Sequence, residues 1–179
     1  ANHLDTALHA AARYLAQSEG AGLYGWAPLW FGNQHAPEEI NWTYGTAKVL
    51  LALNEPAQIA LPGGGLRVTR AKNALLEMQR DDGAWSGFKG GEASIEETAL
   101  ALEALSGVTE ADDETQAKLV KARDRAADWL VSQVESGAWT EPSPIGFYFA
   151  KLWYYEKLYP MIATVAALSS YRRLTEKPE

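Results

Sequence analysis

No cysteine occurs among the 179 residues, which excludes disulfides and any thiolate metal site. No apolar run is long enough to cross a bilayer, and no charged, apolar and small-residue leader opens the chain. A basic excess is missing too: Asp and Glu outnumber Lys and Arg 23 to 16, giving a net charge of −7. A nucleic-acid surface needs a basic patch or stripe, so none is expected here. The densest positive run, Lys118 to Arg125, is broken by Asp124 and suits a solvated helix face. His3, His9 and His35 have no metal-ligand spacing, and no period-two stretch of useful length marks a strand. The first residue is Ala, from which a processed product or a fragment of a longer protein is expected. The length suits one domain spanning 1–179 with a real core.

What is present is repetition. Gln79-Arg80-Asp81-Asp82-Gly83-Ala84-Trp85 recurs in looser form from Gln133 through Gly137 to Trp139, and a worn copy runs from Gln17 to Trp26. A second element follows each copy: Thr46-Ala47-Lys48-Val49-Leu50-Leu51 resembles Thr98-Ala99-Leu100-Ala101-Leu102, and Thr164-Val165-Ala166-Ala167-Leu168 is a third counterpart. A period of roughly fifty residues fits a helical hairpin whose neighbours bury one another's apolar faces. The unit is two helices, and three hairpins account for the chain. Within the motif, Gln79 and Gln133 are expected to bond backbone groups near a helix end, with Asp82 and Gly83 or Gly137 in the turn. Trp85 and Trp139 then lie back over the joint.

Helical spacing places helices near 3–18, 38–53, 66–79, 94–105 and 115–134. Ser94 with Glu97 three residues on reads as a capping box, and Gly107 closes that helix. Pro160 is tolerated only at a helix start, so the last segment divides into a short helix near 147–158 and another near 160–173. The class is all-α. The short helix is aromatic around nearly its whole girth, and Tyr148, Leu152 and Tyr155 fall on one helical face. That face is either aromatic core or the wall of a pocket in which ring faces stabilise positive charge.

Together the repeated Gln-x-x-Asp-Gly-x-Trp, Trp30-Phe31-Gly32, Asn41-Trp42-Thr43-Tyr44-Gly45-Thr46, the Ser94 to Leu102 helix and the Gly146-Phe147-Tyr148-Phe149 to Pro160 ending resemble squalene–hopene cyclases. The wider prenyltransferase-like α-toroid group, oxidosqualene cyclases included, is similar in the same features. The resemblance covers essentially the whole chain and corresponds to the C-terminal end of such a cyclase. It implies part of an α/α barrel, about three hairpins forming half a toroid, around a folded polyene. It further implies an aspartic acid that protonates an alkene and aromatic rings that escort the carbocation. By position, Tyr44 matches the Tyr of the family's Tyr-Gly-Thr segment, close to the acid. Tyr148 and Tyr155 match aromatic cavity positions. Leu152 stands where hopene-forming relatives usually carry an aromatic.

The family's Asp-x-Asp-Asp acid motif is absent. Asp81-Asp82 belongs to the repeat, and Asp112-Asp113-Glu114 sits in a polar connection that cannot keep a carboxyl protonated. The adjacent pairs Glu38-Glu39 and Glu96-Glu97 point about 100° apart on a helix and read as helix-start electrostatics. The expected function is therefore the cavity wall of a triterpene cyclase whose acid lies elsewhere, with Tyr44 assisting, Tyr148, Leu152 and Tyr155 at the substrate, and no metal or cofactor. An isomerase parent and an inactive isolated chain follow. The expected partners are a polyprenyl or triterpene substrate in the full-length protein, and either a second copy or a missing N-terminal half. A cytoplasmic place with peripheral membrane contact is expected. The alternatives are a non-catalytic repeat module for a hydrophobic ligand or protein, and a carbohydrate-active α/α barrel.

Overall fold

A computed structural model describes residues 3–20, 25–28, 31–54, 63–110, 112–147 and 152–176. Among them are six α-helices: α1 (His3–Gln17), α2 (Trp42–Leu53), α3 (Gly64–Met78), α4 (Ile95–Ser106), α5 (Asp113–Ser136) and α6 (Leu158–Thr175). Two short 3₁₀ turns, Pro37–Glu39 and Ala138–Thr140, and a hairpin of β1 (Ser143–Phe147) and β2 (Leu152–Glu156) complete the description. The class is all-α, as the helical spacing indicates.

α4 is the axis of the packing. Ser94 caps it by accepting the Glu97 amide proton, and nearly every residue that follows is buried. Ala99, Ala101 and Ala104 have no exposed surface, which lets flanking backbones approach, while Leu102 and Leu105 fill the gaps. α2 and α6 lie on either side of α4, α3 packs against α2, and α5 against α4. Two layers result. Leu50, Leu75, Leu119 and Leu130, all fully buried, join them into one core. Each such side chain stabilises the fold by about 1.5–3 kcal/mol relative to exposure. Arg123, itself buried, donates to the Leu105 and Val108 carbonyls and so satisfies the C-terminal end of α4 with a cation.

Two expectations are corrected. The segment expected as a helix near 147–158 is the β hairpin, antiparallel, with Phe147 opposite Leu152 and Ser143 opposite Glu156. Aromatic residues suit a pleated strand as well as a buried helix. Pro160 then falls in the first turn of α6, where its missing N–H leaves no intrahelical bond unmade. Likewise, α2 does not start at Glu38. Glu38 and Glu39 have left-handed backbones, φ 58° and 60°, Ile40 is extended, and Asn41 provides the cap by accepting the Tyr44 amide proton at 2.9 Å.

Candidate functional site

The repeated Trp motif builds the frame of the site. Trp85 is fully buried. Its indole N–H donates to the Leu75 carbonyl at 2.8 Å, and its amide donates to Thr98 Oγ1 at 2.8 Å. Trp26 does the same one repeat earlier: its indole donates to the Leu15 carbonyl at 2.7 Å and its amide to Thr46 Oγ1 at 3.1 Å. Each Trp therefore rivets the end of one helix to the threonine of the next. The third Thr, Thr164, is buried on α6, yet among the described residues its hydroxyl has no hydrogen-bond partner. Trp139, in the second 3₁₀ turn, is only half-buried.

Gln79 bonds more widely than a helix-end staple would. Its amide donates to Gly83 O at 2.9 Å and to Ala122 O on α5 at 2.8 Å. Among the described residues the Gln133 side chain donates only to Ser132 Oγ, at 3.1 Å. Asp82 accepts the Ala84 amide proton at 3.1 Å and pairs with Arg80; against the opposing effect of burial, Arg80 and nearby backbone donors together lower its carboxyl below the usual range. Gly83 (φ 94°) and Gly137 (φ 82°) are left-handed, and a Cβ on Gly83 would sit 2.8 Å from Arg125 O. The Gly of Tyr44-Gly45-Thr46 has its own reason: a Cβ at Gly45 would collide with the Trp26 carbonyl, so α2 can approach the Trp26 segment only here.

This frame brings together the starts of α2 and α4. Asn41, having capped α2, donates its amide to Glu97 at 2.7 Å; Ser94 Oγ also donates to Glu97. Glu96, 9% exposed, is the neighbour that receives no such donor among the described residues. Burial, and then the charge of Glu97, push its carboxyl up to about 8 against the opposing effect of Lys48. Burial thus favours the protonated form of Glu96. Glu96 and Glu97 line both a small recess with Phe31, Tyr44 and Tyr159 and a cavity of about 520 Å³ with Ser86, Phe88 and His35. The Tyr44 ring lies 5.1 Å from that of Phe31, tilted by 38°, and Lys48 Nζ is 5.7 Å from its centroid. Burial first, then Glu96 and Tyr159, push its phenol up to about 12, so it stays protonated.

Tyr44 alone of the expected substrate-facing residues lines the small recess among the described residues, and it does not line the larger cavity. Tyr148 lies outside the described residues. Leu152 and Tyr155 are on β2, 57% and 62% exposed, and their spacing of three puts them on opposite faces of a strand. The shared helical face is therefore corrected, although Tyr155 does accept a hydrogen bond from Gln34 at 3.0 Å. Sequence position alone assigns Glu96 to helix-start electrostatics, and the structure buries it instead. Asp112 caps α5 by accepting the Thr115 amide proton, and Asp113 and Glu114, expected in a polar connection, form the exposed first turn of α5 instead. Among the described residues no group of three His, Asp or Glu could hold a metal, and no helix is long and apolar enough to cross a membrane.

No family model matches the chain. It is 32% identical over 162 residues to a squalene–hopene cyclase of Zymomonas mobilis subsp. mobilis, covering 81% of this chain and 22% of that protein. Uncharacterized proteins of Bradyrhizobium diazoefficiens and Sinorhizobium fredii are 33% and 34% identical over 95 residues, covering 52% of this chain and 17% of each. The chain spans about a fifth of the length of the curated relatives it matches. A distant, terpenoid cyclase-like relationship to squalene–hopene cyclase follows.

Proposed function

We propose that the chain supplies part of the cavity wall of a squalene–hopene-type triterpene cyclase, with the alkene-protonating acid contributed by a region outside it. The observation that carries this reading is the position of Tyr44. The residue that matches the family's Tyr-Gly-Thr segment lines a small recess with Phe31 and Tyr159, held there by a Trp–Thr rivet and a glycine contact. Aromatic faces in such a wall stabilise positive carbon by about 0.5–2 kcal/mol each when desolvated. Glu96 does not replace the missing acid, because a carboxyl raised to about 8 beside Glu97 is a weak proton donor. Tyr148, Leu152 and Tyr155 belong to this proposal through their match to the family's positions.

The test is a chimera in which this chain replaces the matching segment of the Zymomonas mobilis cyclase. The chimera should convert squalene to cyclised triterpenes by mass spectrometry, while the chain alone should yield none. A folded chimera with no product, or product from the chain alone, overturns the reading. A second reading, a non-catalytic repeat module that binds a hydrophobic partner, is favoured by the exposed Leu158, Ile162 and Val165 on α6.

A further inference from the structure

The larger cavity, about 520 Å³, is bounded by the turn after Trp85, the loop before α2, Ser143 of β1 and the start of α4. The turn is built in advance: Ser86 Oγ accepts the Phe88 amide proton at 3.3 Å and donates to the Phe88 carbonyl, and the Gly91 amide closes on the same carbonyl at 3.2 Å. A Cβ on Gly91 would sit 2.8 Å from the Phe88 ring, so glycine there lets the ring lie against the turn. On the loop, Asn33 accepts the His35 amide proton at 2.9 Å and packs its own amide on Gly87, where a Cβ would come within 2.5 Å of the nitrogen. Phe88 and Asn33 are thereby fixed at the cavity. The polar groups around it divide into two sets. Ser86, Ser94 and Glu97 are satisfied within the protein, the last by Asn41 and Ser94. Glu96, nine-tenths buried, receives no hydrogen bond among the described residues, and neither the Asn33 amide nitrogen nor the Glu92 and Ser143 side chains make one there.

This unsatisfied set selects the ligand. A hydrocarbon would leave the Glu96 carboxyl unmet, and an anion would face Glu92, Glu96 and Glu97 with no Lys or Arg along the cavity. Among the described residues no three acidic or imidazole groups converge to hold a metal ion. An organic cation gains little, since Glu97 is already satisfied and burial favours the protonated form of Glu96. A protonated carboxyl is a donor as well as an acceptor, which suits hydroxyl and ether oxygens. Beside it, the Phe88 ring offers its negative face to polarised C–H groups. We propose that this cavity binds a neutral pyranose ring, whose hydroxyls meet Glu96, Asn33 and Ser143 while its C–H face lies on Phe88. The volume falls in the range of about 300–1,000 Å³ that small-ligand sites occupy. The recess of Tyr44 and Phe31, which carries the cyclase reading, shares Glu96 and Glu97 with this cavity but no aromatic ring.

Titration of the amide NMR shifts with the methyl pyranosides of glucose, galactose and mannose tests this, with cyclohexanol as the control that carries one hydroxyl. At least one pyranoside should bind and shift the amides around Phe88 and Glu96, and cyclohexanol should bind about tenfold more weakly or not at all. Phe88→Leu keeps the bulk and loses the aromatic face, so affinity should fall about tenfold. Glu96→Gln retains a donor and an acceptor and should bind within about threefold of the parent, whereas Glu96→Leu should abolish binding. Glu96 is faced by Glu97 on its own helix, Tyr44 and Lys48 on α2, Tyr159 on α6, His35 on the loop and Glu92 before α4. Ionisation of Glu96 removes its donor, so parent affinity should decline from about pH 7 to about pH 9.5, above the ordinary His range, while that of Glu96→Gln stays flat. If Glu96→Leu fails to fold by circular dichroism, Asn33→Ala on the loop should still weaken binding about threefold or more. No pyranoside binding at tens of millimolar, equal binding of cyclohexanol, parent-like binding by Phe88→Leu or Asn33→Ala, or parent affinity flat with pH each overturns the inference. If the chimera cyclises squalene while the chain ignores every pyranoside, this inference alone fails. If a pyranoside binds as described and the chimera is inert, the cyclase reading fails and the site stands.

Discussion

Thr98 takes the amide proton of Trp85 at 2.8 Å and returns its own hydroxyl proton to Ser94 O at 2.6 Å, so one buried side chain completes two backbone groups. Thr164 holds the equivalent place in the third repeat with its hydroxyl unsatisfied among the described residues. The same substitution should therefore have opposite consequences. Thr98→Val leaves a buried N–H without an acceptor and should cost about 1–3 kcal/mol, whereas Thr164→Val removes an unmet group and should be neutral or stabilising. Chemical denaturation of the two variants measures the difference, and equal losses would sink the rivet argument. Glu96 gives a second prediction at this scale. Folding raises its carboxyl from 4.5 to about 8, so between those pH values the native state binds a proton that the unfolded chain has released. Stability from this group is fully present below about pH 4.5 and is lost as pH rises through about 8. Glu96→Gln should be progressively more stable than the parent as pH climbs across that window. A difference that stays constant with pH, followed by urea midpoints, would contradict the burial of this carboxyl.

At the scale of the elements, the two complete rivets predict unequal roles for the two motif glutamines. Gln79 joins the loop to α5 through Gly83 O and Ala122 O, while among the described residues the Gln133 side chain hydrogen-bonds only Ser132. Gln79→Ala should lower stability by about 1–2 kcal/mol, and Gln133→Ala should change it by no more than about 0.5 kcal/mol, as surface substitutions do. Similar midpoints for the two variants in thermal melts would show that Gln79 does not tie the hairpins together. These elements also show what a sequence can disclose. The helices around Leu50, Leu75 and Leu102 were legible because their apolar spacing and the Ser94 cap agree. The hairpin at Ser143–Glu156 was not, because a short run of Phe, Trp and Tyr satisfies a buried helix and a strand alike. The start of α2 was misplaced because Glu38 and Glu39 look like an acidic first turn, although Asn41, the actual cap, is itself a favoured cap residue. Glu96 lay beyond sequence reading for another reason. Its environment comes from Tyr44 and Tyr159, residues on other helices, and periodicity does not reveal which helix starts converge.

Across the whole molecule, α6 has two apolar sides. Pro160, Thr164 and Ala167 face the core, while Leu158, Ile162 and Val165, spaced to share one stripe, are exposed, with Leu152 and Tyr155 of β2 also exposed in the preceding segment. A helix that is apolar on opposite sides is normally covered on both, and an exposed contiguous apolar patch marks an interaction surface. The isolated chain is therefore expected to associate with itself, or to bind a hydrophobic dye, through this stripe. Ile162 and Val165 contribute little to the core, so the double change Ile162→Glu, Val165→Glu should leave the melting temperature nearly unchanged. Sedimentation velocity across a range of concentrations should show association in the parent chain that the double variant loses, with dye fluorescence falling in parallel. Should the parent sediment as a monomer at high concentration and bind no dye, the stripe is only solvated surface. Should the double variant instead unfold, these side chains belong to the core and their exposure in the fold is wrong.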